Sequence, residues 1–266
     1  TLQYRFDFGA NEIKSLGIAA DYMDYLGTSD MTAAEIKQAF YNLACNYRMS
    51  VGYRNTTISI SGLAENMTEA MALVEKIITD AQPNPEAYNN LVADILKSRI
   101  DSKANQANNF SRLRQYGMYG SVNPAKNIIS EEELTQTIKP ETLIATVADL
   151  WNTEHRVIYY GPMEKEEVAK VIAETHKVGD ALKQVEKNTT FVPQQATENI
   201  VYIAPYDANQ IYLSAISNYG EKYSEELHPS ITLYNEYFGG GMNSIVFQEM
   251  REARGLAYSA QALMAE

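Results

Sequence analysis

The chain has 266 residues, 45% of them hydrophobic, which is enough to fill the core of two domains or one large one. Its formal charge of −12 argues against a nucleic-acid partner, because phosphate binding needs a basic surface. No apolar run is long enough for a membrane-spanning helix, and with Cys45 alone no disulfide can form within the chain. Cys45 falls in a segment, Phe40 to Asn46, that reads as helical, and there it serves as a small buried hydrophobe.

At the amino-terminal end Leu2, Tyr4, Phe6 and Phe8 alternate with Gln3, Arg5 and Asp7, the period of a half-buried strand. The strand starts at the first residue with no turn before it, so the chain is expected to begin inside a longer protein, with targeting signals absent or trimmed away. Ile13, Leu16, Ala20 and Met23 then share a helical face, and Thr32 to Glu35 has the form of a capping box opening the next helix. Two strands follow, near Asn46 to Gly52 and Asn55 to Gly62. Asn66 with Glu69 is expected to cap a helix carrying Met67, Met71, Val74 and Ile78.

Asn84-Pro85 starts a long helix with Tyr88, Leu91, Val92, Ile95 and Arg99 along its buried stripe. Phe110 to Tyr119 mixes basic and aromatic residues, a pattern that in an acidic chain reads as a solvated helix face. Ser130 to Glu133 is another capping box, and Pro140 opens a helix with Leu143, Ile144, Val147, Leu150 and Trp151 on one face. Val157 to Tyr160 is a short strand closed by Gly161-Pro162, and Glu164 to Thr175 is helical.

From His176 the chain turns polar and aperiodic. The expected organisation is a first α+β domain over residues 1–175, a linker over 176–197, and a second α+β domain over 198–266 that is cut short. The second begins with a strand pair, Ile200 to Ala204 and Gln210 to Ser217, then a helix to Phe238, and its last strand is Leu256 to Leu263.

The most informative stretch is Phe238 to Ser259. Gly239, Gly240 and Gly241 interrupt one helix, Asn243 or Ser244 can cap the next, and Val246, Met250 and Ala253 share its face. Gly255 sits where a helix would end in a left-handed residue, which puts Arg254 and Tyr258 on either side of a helix-to-strand corner.

This stretch resembles the carboxy-terminal domain of the pitrilysin/insulinase family of zinc metallopeptidases. Leu16 to Gly62 resembles the family more loosely, and Glu154 to Pro162 is similar to the strand closing one family domain. The resemblance implies repeated α+β domains, sheets covered by helices, forming two halves of a clamshell around a peptide. The catalytic half of such enzymes carries H-x-x-E-H, in which two histidines bind zinc and the glutamate is the base toward the metal-bound water. Aligned on Leu26-Gly27-Thr28, the matching positions are Ile18, Asp21 and Tyr22. Isoleucine has no lone pair and a tyrosine near neutral pH is a neutral phenol, so no zinc site is expected here. His155, His176 and His228 lie far apart in the sequence, with no acidic residue at ligand spacing beside two of them, so only folding could bring the three together as a site.

The resemblance therefore implies a non-catalytic half, with zinc in an amino-terminal half or partner subunit. It also implies that Arg254 and Tyr258 hold the peptide and polarise the scissile carbonyl, with the three glycines admitting a substrate backbone. The plain structural alternative is that Arg254 pairs with Glu249 or Glu252, Tyr258 packs in a sheet and the glycines make a turn. A catalytically dead assembly subunit of the same fold, or a stand-alone peptide-binding module working through a sheet edge, are the other readings. Likeness to large bacterial peptidases favours the periplasm over the cytoplasm.

Overall fold

The computed structural model describes residues 1–179, 181–188, 190–220 and 224–264. The chain forms two compact units. The first comprises Thr1–Gln194 with Ile200–Ile216, and the second Gln195–Asn199 with Ser217–Glu266.

The first unit is built on an antiparallel sheet, β1 (Leu2–Phe6), β2 (Cys45–Val51), β3 (Thr56–Gly62) and β4 (Arg156–Tyr159), in the order β2-β3-β1-β4. Its register sets Leu2 beside Ile60, Tyr4 beside Ile58 and Phe6 beside Thr56. The side-chain period of two then puts all six on one face, and each is at most 1% exposed. Gln3, Arg5, Thr57 and Ser59 occupy the other face, so this sheet packs on one side only.

The helices α1 (Leu16–Met23), α2 (Ala33–Asn42) and α3 (Met67–Asp80) pack on the sheet, α4 (Pro85–Lys103) and α6 (Pro140–Ala148) pack on α1, α5 (Gln106–Tyr119) packs on α4, and α7 (Lys165–Thr175) packs on α3. Both capping boxes close as their sequences predict. Thr32 accepts from the Glu35 amide while Glu35 reaches back to Thr32, and Ser130 and Glu133 exchange the same bonds at 3.1 and 2.7 Å. Asn84 caps α4, accepting from the Ala87 amide. Asn66 caps nothing with its side chain, because its amide is drawn away to the Leu43 carbonyl at 2.8 Å.

Cys45 is buried as expected but stands in a strand, not a helix. The helix stops at Asn42, Ala44 takes a left-handed φ of +48°, and the chain leaves this kink directly into β2.

The runs Ile200 to Ala204 and Gln210 to Ser217 form no strand. Strand alternation is stable only when a partner satisfies the backbone and one face is buried. Here Val201, Ile203, Ile211 and Leu213 are all more than 80% exposed. The tyrosines between them lean on α5 instead, Tyr202 against Tyr116 and Tyr212 against Phe110, each at 5.4 Å.

The second unit holds α8 (His228–Phe238) and α9 (Ile245–Phe247), which runs on into a wider π-type turn at Gln248–Glu252. Leu256 to Leu263 is also not a strand: this stretch lies along the end of α8, where Asn235 exchanges two hydrogen bonds with the Met264 backbone.

Candidate functional site: the glycine corner and the positions aligned with the zinc motif

Ser244 is the residue that caps α9, its hydroxyl accepting from the Phe247 amide at 3.3 Å. The helix ends on a left-handed glycine. Gly255 has φ +59°, and the amides of Gly255 and Leu256 turn back to the carbonyls of Arg251 and Met250 at 3.0 and 2.8 Å. The helix end predicted for this corner is thus met in its backbone, although no strand follows it.

Its side chains are arranged differently from a ready-made peptide clamp. Arg254 pairs with Glu249 at 3.2 Å, both side chains more than half exposed. Tyr258 is 86% exposed. The cation at its ring is Arg251, whose guanidinium carbon lies 4.8 Å from the Tyr258 centroid and 4.9 Å from that of Phe247. Sequence reasoning passed over Arg251. The signal available for it was spacing, since Phe247 stands four residues before it on the same helical turn.

The three glycines divide by what surrounds them. A Cβ on Gly239 would stand 2.0 Å from the Ala262 carbonyl oxygen, and one on Gly240 would stand 2.8 Å from that of Asn235. A Cβ on Gly241 meets nothing within 4 Å. Two of the glycines are therefore required by close backbone packing, and Gly241 alone borders open space.

In the first unit the positions aligned with the zinc motif lie on α1. Ile18 packs against the core. Tyr22 is fully buried, with its ring edge-on to Tyr88 at 5.8 Å. Its hydroxyl donates to the Asn84 carbonyl at 2.8 Å and accepts from the Asn84 amide at 2.9 Å. Asp21 is exposed, and desolvation followed by the nearby Asp24 charge raises its carboxyl above the usual range. One aliphatic side chain, one hydroxyl with both hydrogen-bonding roles taken and one carboxylate do not fit zinc.

Two of the three histidines meet in space although they are distant in the sequence. His155 and His176, 21 residues apart in the chain, meet with their Nε2 atoms 2.8 Å apart. Among the described residues no three His, Cys, Asp or Glu side chains are grouped to hold a metal ion.

Residues 154–265 match the family model of the peptidase M16 inactive domain. Over 250 residues the chain is 25% identical to an uncharacterized zinc protease of Rickettsia bellii, covering 90% of this chain and 57% of that protein. Its fold matches the crystal structure of a peptidase M16 inactive domain from Pseudomonas fluorescens with a TM-score of 0.70 at 15% identity, covering 99% of this chain and 65% of that one. It also matches the periplasmic protease PqqL from Escherichia coli with a TM-score of 0.59 at 14% identity, over 74% of this chain and 22% of that one. The chain spans less than two thirds of the length of each of these proteins.

Proposed function

We propose, from the match of residues 154–265 to the peptidase M16 inactive domain, that this chain is the non-catalytic half of a zinc peptidase and completes a peptide-holding chamber with a zinc-bearing half. The observation that carries this reading is the state of α1. Where a catalytic half would present two histidines, this chain has packed Ile18 against its core and given the Tyr22 hydroxyl to Asn84. These positions now serve stability, so the metal and the water it activates belong to the other half.

Within that reading, Arg254 and Tyr258 face the peptide. Both are exposed, and the Arg254–Glu249 pair is a surface ion pair of the kind worth only about 0–1 kcal/mol, so a substrate carbonyl or carboxylate can displace it. An arginine fork and a phenol hydroxyl are suitable donors to an oxyanion. Gly241, with open space beside it, is the glycine that admits a substrate backbone.

The test is peptide hydrolysis by the zinc-bearing half with and without this chain. Hydrolysis that requires the chain and falls roughly 100-fold with Arg254→Ala supports both levels of the reading. A second reading, an assembly subunit that has lost any part in catalysis, is favoured at this corner by the Arg254–Glu249 pair and the Arg251–Tyr258 contact. It predicts hydrolysis indifferent to Arg254→Ala.

The fold shared with a periplasmic protease supports a periplasmic location. No described helix is long and apolar enough to cross a membrane. Cell fractionation of the native protein decides between periplasm and cytoplasm.

A further inference from the structure

His155 stands just before β4, His176 follows the last residue of α7, and Glu75 lies on α3. The fold sets them in one row. His155 Nδ1 is 2.7 Å from the Thr153 carbonyl, the two Nε2 atoms are 2.8 Å apart, and His176 Nδ1 is 2.6 Å from Glu75 Oε1.

The proton positions follow from which atoms can only accept. A carbonyl has no hydrogen to give, so His155 Nδ1 carries one. On a neutral ring its Nε2 then offers a lone pair, and His176 must donate from Nε2. The remaining contact, between His176 Nδ1 and Glu75, holds one proton that belongs to the pair.

The surroundings leave little water to substitute for a broken link. The His176 side chain is 5% exposed and that of Glu75 is 12% exposed. Trp151 packs edge-on to His176 at 4.7 Å and Phe6 packs on His155 at 5.0 Å. The groups facing the row are the Tyr4 hydroxyl from β1, Glu75 from α3 and the Trp151 indole from the turn after α6, together with the two imidazoles themselves.

We infer that Glu75, His176 and His155 form a latch closed by a single shared proton, which pins the end of α7 to the sheet and is opened by a second. The second proton comes from solvent and lands on His155 Nε2. The central contact then becomes two N–H groups pointing at each other, and a net positive charge is left in a partly buried site. The same row anchors the backbone beyond α7, because Lys183 pairs with the chain on both sides of Thr153.

Burial, followed by the neighbouring His176, lowers the His155 pKa. A histidine whose folded value is depressed gives stability that is present above its unfolded value of about 6.5 and is lost as pH falls through the folded value. The latch is therefore closed at neutral pH and released by acid.

The experiment is nitrogen-detected imidazole NMR and amide hydrogen exchange on the 266-residue chain, from neutral to acid pH. The expected result is His155 as the Nδ1–H tautomer at neutral pH. On acidification the amides at the end of α7 lose protection before those of β1 and β3, with an opening constant rising about tenfold per pH unit for one proton taken up. In H155Q, which cannot take that proton, protection at the end of α7 is expected not to vary over this range. Equal loss with pH in wild type and H155Q overturns the latch. So does finding His155 as the Nε2–H tautomer in the wild-type chain, a measurement that needs no variant to fold.

Discussion

Tyr22 closes a reciprocal pair of hydrogen bonds with the backbone of Asn84, giving to its carbonyl at 2.8 Å and taking from its amide at 2.9 Å. Tyr4 has the same burial, but its hydroxyl faces the Glu75 carboxylate without a hydrogen bond of good geometry. The same one-oxygen deletion should therefore have different effects at the two sites. Tyr22→Phe is expected to cost about 0.5–1.5 kcal/mol, and Tyr4→Phe to be neutral or slightly stabilising, because it removes an unpaired buried polar group. Urea denaturation of the two variants checks this. Equal losses would mean that the Tyr22–Asn84 pair does not hold α1 to the start of α4.

The first unit was legible because its signals are local. Alternation in Leu2 to Phe8, the Thr32 and Ser130 capping boxes and the Asn84-Pro85 start each act within a few residues, and each appears in place. Position 44 was illegible because a left-handed alanine is set by the geometry of the helix-to-strand exit and leaves no mark in residue type. Ile200 to Ala204 failed for another reason: alternation states a willingness to pair, while the partner is a property of the rest of the fold. The meeting of His155 with His176 needed α3, α7 and β4 placed together, which no spacing in the sequence records. At the glycine corner the backbone was readable, but which arginine lies at Tyr258 depended on the widened turn at Gln248–Glu252.

Gly239→Ala is expected to destabilise the second unit severely, by more than the roughly 1 kcal/mol by which alanine and glycine differ inside a helix. The new methyl would meet the backbone of Ala262, which has no flexible side chain to yield. Gly241→Ala, with open space around it, should leave stability within about 0.5 kcal/mol of wild type. Any loss of peptide hydrolysis in a reconstituted enzyme carrying Gly241→Ala would then report on substrate passage and not on folding. Thermal unfolding of both variants separates the two roles.

Arg251 and Arg254 should also separate. Arg251→Ala removes the cation from between Phe247 and Tyr258 and is expected to cost about 0.5–1 kcal/mol, with faster hydrogen exchange over residues 255–259. Arg254→Ala breaks an exposed pair with Glu249 and should cost less, an effect that fades in 1 M salt. Exchange over residues 255–259 that responds to Arg254→Ala and not to Arg251→Ala would reverse the assignment of which arginine orders the corner.

The acid limb of stability should be drawn from the caps. The Thr32 amide and hydroxyl hold the Glu35 carboxyl below its usual range, the Ser130 amide and hydroxyl do the same for Glu133, and the Ser29 hydroxyl and amide lower Asp80. A carboxylate with a depressed folded value gives stability that is present above its unfolded value, near pH 4, and is lost as pH falls through the folded value. Removing such a cap should therefore flatten the stability profile below pH 4 while lowering it at neutral pH. The double variant Ser130→Ala/Glu133→Ala, compared with wild type by urea denaturation at several pH values, checks the sign. A loss of equal size at pH 7 and at pH 2.5 would show that Glu133 stabilises the turn after Ser130 by packing, with no contribution from its charge.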